Sequence, residues 1–213
     1  PWIDKVIADD SEDAYGSRDS RISVVDHIMD NLLFAEQNIK VDGDGENTIN
    51  KACVQVLISR LGLYEGTWRK YHATNESGAK YDRMKLLTES VRASDELMKK
   101  YPALLDHYDK LFNMESLTNA PGIILYKEYV AGVLMHHIGR YCRTSEIRYE
   151  APKHTVELYL TKNGLPIHNA KNQVESGGEY CGDKIIYNEF RNRDNRMLMS
   201  IVPPYFGNPG YNY

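Results

Sequence analysis

The sequence predicts a mainly α-helical protein: antiparallel helix pairs, then a loop-rich irregular half carrying few short strands. Three observations predict it. Apolar residues recur at i, i+3, i+4 spacing from Arg21 to about Phe112, and only a few residues separate the periodic runs. After Asn113, glycine and proline punctuate the chain at short intervals. At 213 residues and 42% hydrophobic, the chain is long enough to bury a sizeable core in one large domain or two small ones.

Residues 1–20 read as an extended leader of acidic and turn-forming residues, with no basic-then-apolar signal. The start at Pro1 fits a mature or trimmed polypeptide better than a complete gene product. The first helix, Arg21–Lys40, follows from the stripe Val25, Ile28, Met29, Leu32, Ala35 and Ile39. Gly43 and Gly45 break it. Asn47 or Thr48 is expected to cap a second helix running to about His72, with Ile49, Ala52, Val56, Leu57, Tyr64, Trp68 and Tyr71 as its apolar face. That stripe places Tyr64 and Trp68 at least partly buried between helices. A loop at Asn75–Gly78 precedes a third helix, Ala79–Lys100, with Met84, Leu87, Val91, Ser94 and Met98 on one side. Pro102 opens a fourth, shorter helix through Phe112, using Leu104, Leu105, Tyr108, Leu111 and Phe112. Short loops make such helices antiparallel neighbours, and Gly62 is a point where one can approach another. The helix lengths look like tetratricopeptide-type pairs, although no clean repeat of about 34 residues is present.

Residues 113–213 read as loop-rich structure packed on the helical half. Short apolar runs lie at 123–126, 156–160, 185–187 and 197–202. Val156, Leu158 and Leu160 alternate as a strand does, with Asn163-Gly164 as the turn after it.

Several function classes fall away. A net charge of −4 removes the basic footprint of a nucleic-acid binder. No apolar run approaches the roughly 18 residues of a membrane span. Cys53, Cys142 and Cys181 have no CxxC spacing, which argues against a disulfide scaffold and a structural zinc site. In Asp42–Asn47, counted as a calcium loop, position six is Asn47 and position twelve is Cys53, where glycine and glutamate are required. His136 and His137 are adjacent and diverge on either a helix or a strand. There is no nucleophile elbow, phosphate loop or dinucleotide fingerprint, so neither catalysis nor a cofactor or metal is expected. Nothing selects a glycosidase pair from the 30 acidic residues. The run Phe190–Arg196 has three arginines and one aspartate able to grip a phosphate or carboxylate. We read it as a structural knot of salt bridges and caps, where a helix ends and an apolar strand begins.

Asn192-Arg-Asp-Asn-Arg196-Met197, followed by an apolar stretch and Pro203-Pro204, resembles the NRDxR segment of the SusD/RagB family of outer-membrane nutrient-binding lipoproteins. Ala151–Val156 through Asn163–Ile167 is similar to the segment leading to that family's G-x-P-I turn, and Ile123–Tyr129 to its extended piece after the last helical pair. Leu61–Tyr71 and Tyr81–Phe112 resemble its tetratricopeptide-like helices, so the resemblance runs from about Arg21 to Phe206. Family members are much longer, so the chain is expected to be a central fragment; they also typically have Pro where this chain has Asn195, a departure from the motif. The resemblance implies a non-enzymatic protein that binds a glycan at the outer-membrane surface, anchored by a lipid absent from this chain. It implies delivery to a SusC-like TonB-dependent transporter. It also makes Val156–Leu160 a short helical turn, against the strand reading. The alternative is a tetratricopeptide-like scaffold whose only ligands are proteins.

Tyrosine is used 16 times, against 4 Phe and 2 Trp, and a ring with a hydroxyl suits half-wet binding surfaces. The candidate ligand contacts are therefore Tyr141, Arg143, Tyr149, Tyr180 and Tyr205 in the second half. Tyr64, Tyr71 and Tyr108 are assigned to helix faces.

Overall fold

Three capping side chains start the long helices. Ser20 accepts the Ser23 N–H at the head of α1 (Arg21–Asn38). Asn50 accepts from Cys53 at the head of α2 (Lys51–Tyr71), and Asp82 from Lys85 at the head of α3 (Arg83–Lys100). The structure is a computed structural model, and it describes residues 2–8, 10–141, 150–169, 173–174 and 179–203. The chain divides into two units. The first comprises Pro1–Leu104 and Asn119–Tyr126, the second Leu105–Thr118 and Lys127–Tyr213.

In the first unit, α2 runs antiparallel to both neighbours. Going along α2 from Ser59 to Gly66, its partners on α3 run backwards from Ser94 to Leu87. Likewise Gln55 of α2 meets Glu36 of α1, while Glu65 meets Arg21. A small apolar core of Val25, Met29, Val54, Ile58, Leu86 and Ala93 lies among the three. The expected close approach occurs at Gly62: a Cβ there would lie 2.4 Å from the Leu86 carbonyl oxygen.

The helix faces differ from the expected ones. Tyr64 is 58% exposed and Leu57 53%, and Ile49 and Tyr71 also face outward; Trp68 is half-buried. The buried residues of α2 are Ala52, Val54, Gln55, Ile58, Gly62, Glu65, Gly66 and Arg69. On α3, Met84, Val91 and Met98 are exposed, while Leu86, Ser90 and Ala93 are buried. Small residues let the backbones approach, and the charged residues on that face are buried as partners. Arg69, 0% exposed, donates from Nε to Glu65 Oε1 at 3.1 Å and from NH1 to the Tyr81 carbonyl at 2.6 Å. Arg21 Nε reaches the same carboxylate at 3.0 Å. A second network joins all three helices, with Glu36 Oε1 accepting from Gln55 at 2.9 Å and Oε2 from Arg92 at 2.7 Å.

The cap of α2 is a further correction. Asn47 sits at φ 51°, donates from Nδ2 to the Tyr126 carbonyl at 2.9 Å, and accepts the Tyr126 N–H at 2.9 Å. Thr48 Oγ1 is engaged with Gly45 O and the Asp44 N–H. Neither is free to cap, so the helix starts at Lys51 from Asn50. The fourth helix is also absent over 102–109. There the chain at Ala103–Leu104 lies against Gly122, whose added Cβ would be 2.7 Å from Leu104 Cδ2, and only the single turn α4 (Lys110–Asn113) forms.

The second unit is made of short turns around a core of Ile167, Phe190 and Met197. After α4 come α5 (Ile138–Tyr141), α6 (Lys153–Glu157), α7 (Ile186–Glu189) and α8 (Asn195–Ser200). The strand read from Val156–Leu160 is instead the end of α6 and the residues after it, with Leu158 in helical conformation. The apolar run after Arg196 is likewise α8. Asn163-Gly164 does turn the chain: Gly164 has φ +82° and Thr161 N–H bonds Leu165 O at 2.8 Å. Among the described residues, the expected strands are reduced to the isolated bridges Val130–Leu134, Thr161–Arg193 and His168–Val174. Among them, no helix is long and apolar enough to cross a membrane.

Candidate functional site

The Phe190–Arg196 run organises the second unit. Arg193 is 4% exposed and donates from NH2 to the carbonyls of Val156 (2.7 Å) and Tyr159 (2.8 Å), and from NH1 to that of Glu189 (3.2 Å). It thereby ties Val156 near the end of α6 and Tyr159 just beyond it to Glu189, the last residue of α7. Beside it, Lys162 N–H bonds Asn192 O at 2.8 Å and Asp194 N–H bonds Leu160 O at 3.0 Å. These bonds lay 160–162 alongside 192–194. Asp194 then caps α8 by accepting the Arg196 N–H at 2.9 Å, and it also takes the Arg196 guanidinium through Nε, at 3.0 Å from each carboxylate oxygen, and through NH2. That pairing holds the Asp194 carboxyl below the usual carboxylate range, so it is an ionised acceptor at neutral pH. The expected structural knot is present, although a helix and not a strand follows it.

Two hollows flank this ladder. One, of about 340 Å³, is lined by Tyr108, Thr155, Leu158, Tyr159, Leu160, Asp194 and Arg196. Tyr108 is held edge-on against Phe112, with ring centroids 5.5 Å apart. The other hollow, of about 330 Å³, shares Leu160, Asp194 and Arg196 and continues over Thr161, Lys162, Gly164, Arg193 and Asn195. Together they offer two phenol rings, two hydroxyl-bearing edges and a fork of guanidinium and carboxylate.

The residues expected from the sequence are placed differently. Tyr180 is half-buried with the Arg193 guanidinium 5.3 Å over its ring, and burial pushes its phenol pKa up. Tyr141 ends α5 with its ring 6.4 Å edge-on from His137. Neither lines the two hollows. Arg143, Tyr149 and Tyr205 lie outside the described residues. Of the residues that do line them, Tyr159 and Lys162 have no functional reading from the sequence, and Tyr108 and Arg196 are read there as structural. Tyr108 had been assigned to a helix that does not form, and Arg196 carried its signal in the arginine run.

The first unit has two other surfaces of note. Arg21 lies 4.3 Å over the Trp68 ring, which stacks on His72 at 3.8 Å. A groove of about 480 Å³ is lined by Ile49, Cys53, Val56, Leu57 and Gly122–Leu125. Cys53 and Cys181 are free thiols, and Cys142 lies outside the described residues. Among the described residues no cluster of three or more His, Cys, Asp or Glu is placed to hold a metal ion. Neither a protein-family model, a curated protein nor a solved structure matches the chain.

Proposed function

We propose that this protein binds an oligosaccharide without transforming it, and that the sugar docks in the hollow of the second unit between Tyr108, Tyr159 and Arg196. One observation carries the reading: two tyrosines and a guanidinium–carboxylate fork line a single open hollow of about 340 Å³. Sugar rings present apolar C–H faces to aromatic rings, and hydroxyls to planar polar groups, and this lining supplies both. Asp194 and Arg196 hold each other in place, so their remaining hydrogen-bonding positions are pre-oriented before a ligand arrives. The sequence resemblance to SusD/RagB proteins supports the same class. On that resemblance also rest the tetratricopeptide-like character of the helix pairs, an outer-membrane lipoprotein setting, and hand-over of the glycan to a SusC-like TonB-dependent transporter.

Calorimetric titration against a panel of polysaccharides tests the proposal. Tyr159→Ala and Tyr108→Ala are each expected to weaken binding by about tenfold, the loss of one stacked ring, with unchanged circular dichroism. If the parent binds a polysaccharide and both variants bind it equally well, the sugar docks elsewhere.

A second reading, protein docking on the helical unit, is favoured by the apolar groove over Leu57 and Ile123–Leu125. Leu57→Glu, at a half-exposed position, would abolish capture of a protein partner while leaving glycan binding intact.

A further inference from the structure

The second hollow has an unbalanced charge. Arg193 is buried, yet among the described residues no carboxylate comes within ion-pair distance of it, and its Nε has no acceptor. Its partners are backbone carbonyls and the face of the Tyr180 ring, which solvate a guanidinium without an ionised carboxylate to neutralise it. Glu189 and Glu157 act on it only at longer range. On the rim, Lys162 is exposed, and its ammonium has no partner among the described residues. Arg196 turns Nε and NH2 toward Asp194 and keeps its NH1 donors. Among the described residues, three cations thus line this hollow against one carboxylate, and that carboxylate is already paired.

We infer that this hollow is an anion subsite, and that the oligosaccharide bound here is an acidic one. Its carboxylate or sulfate sits between Lys162 and Arg196, above the buried Arg193, while its ring reaches the adjoining tyrosines. The inference rests on the sugar-binding reading and names the class of sugar. It also runs against the net charge of −4, which repels polyanions from the rest of the surface. A preference for acidic ligands therefore has to come from a local cluster.

The experiment titrates the intact chain at one fixed ionic strength with polygalacturonate oligosaccharides, dextran sulfate and neutral dextran, and repeats each titration with Lys162→Ala and Lys162→Glu. Lys162 is exposed and makes only a backbone hydrogen bond, to Asn192 O, which both variants retain. The expected result is that at least one acidic polymer binds about tenfold or more tighter than dextran, a margin typical of one charge-assisted hydrogen bond. That margin should shrink with added salt. Lys162→Ala should reduce it and Lys162→Glu erase it, with dextran binding unchanged. Preference for polygalacturonate assigns a carboxylate, and preference for dextran sulfate a sulfate. Equal binding of acidic and neutral polymers, or an acidic preference that survives Lys162→Glu, overturns the anion subsite alone. Failure of all three polymers to bind overturns the sugar-binding reading and this inference with it.

Discussion

Replacing Gly62 by alanine tests the tightest contact in the helical unit. An added Cβ would stand 2.4 Å from the Leu86 carbonyl oxygen and 3.0 Å from Ser90 Cβ. The first obstacle is backbone, so it cannot rotate away; α2 and α3 must separate by about 1 Å to restore ordinary contact. Two hydrogen bonds cross the same interface within a turn: Ser90 Oγ to Ser59 O at 2.8 Å, and Ser59 Oγ with Ser94 Oγ at 2.8 Å. Stretching them and straining the packing costs roughly 2–3 kcal/mol. Alanine is a better helix former than glycine by about 1 kcal/mol, which offsets part of that. The net expectation is a destabilisation of about 1–2 kcal/mol, or a fall in Tm of roughly 3–8 °C, read by circular dichroism during thermal and urea unfolding. Gly66→Ala is the control. Its Cβ would meet Leu87 Cγ at 2.7 Å, a side chain that can turn aside, and backbone only at 3.2 Å (Arg83 O), so it should cost less than Gly62→Ala. A Gly62→Ala protein as stable as its parent, or more stable, would refute the close approach of the two helices.

The buried ion networks give two further expectations. Burial works most strongly against ionisation of Glu36, but hydrogen bonds from Arg92 and Gln55 prevail and hold its carboxyl below the ordinary value. A carboxylate whose pKa is lowered by folding contributes stability above its unfolded pKa of about 4.3 and loses that contribution as pH falls through the folded value. Stability from urea midpoints should therefore decline below about pH 5, and Glu36→Gln should flatten that decline; equal slopes in the two proteins would show that the network carries no pH-dependent stability. Arg69→Met should cost about 3 kcal/mol, the low end for breaking a buried pair, because Arg21 still reaches Glu65. Arg69→Met combined with Glu65→Gln should recover part of that loss in chemical denaturation, and strictly additive losses would deny the coupling.

The extent of α1 was legible because its stripe and stop signals agree: the helix spans Arg21–Asn38 where Arg21–Lys40 was expected. The role of Gly62 was legible for a similar reason, since a residue without a side chain within an apolar helical run implies a close neighbour. The burial faces of α2 and α3 were not. Periodicity weighs hydrophobicity alone, whereas here Glu65 and Arg69 go inside as a pair and Tyr64 and Leu57 stay out. Asn47 was misjudged because its partner, Tyr126, is 79 residues away. The end of α6 was ambiguous in itself, since alternation over Val156, Leu158 and Leu160 also fits a helical turn.

The chain by itself determined that helices would form, where glycine would turn it or let neighbours approach, and that Phe190–Arg196 would tie structure together. Those properties depend on local backbone preference and on residue chemistry within a few positions. Which helix face is buried, and which side chains meet at the candidate site, was decided only in three dimensions. Tyr159 and Arg196 are brought to one hollow by Arg193, which binds the carbonyls of Val156, Tyr159 and Glu189 across up to 37 residues, and Tyr108 joins them from far earlier in the chain. Pairing energy between distant groups, which no local pattern encodes, selected that arrangement.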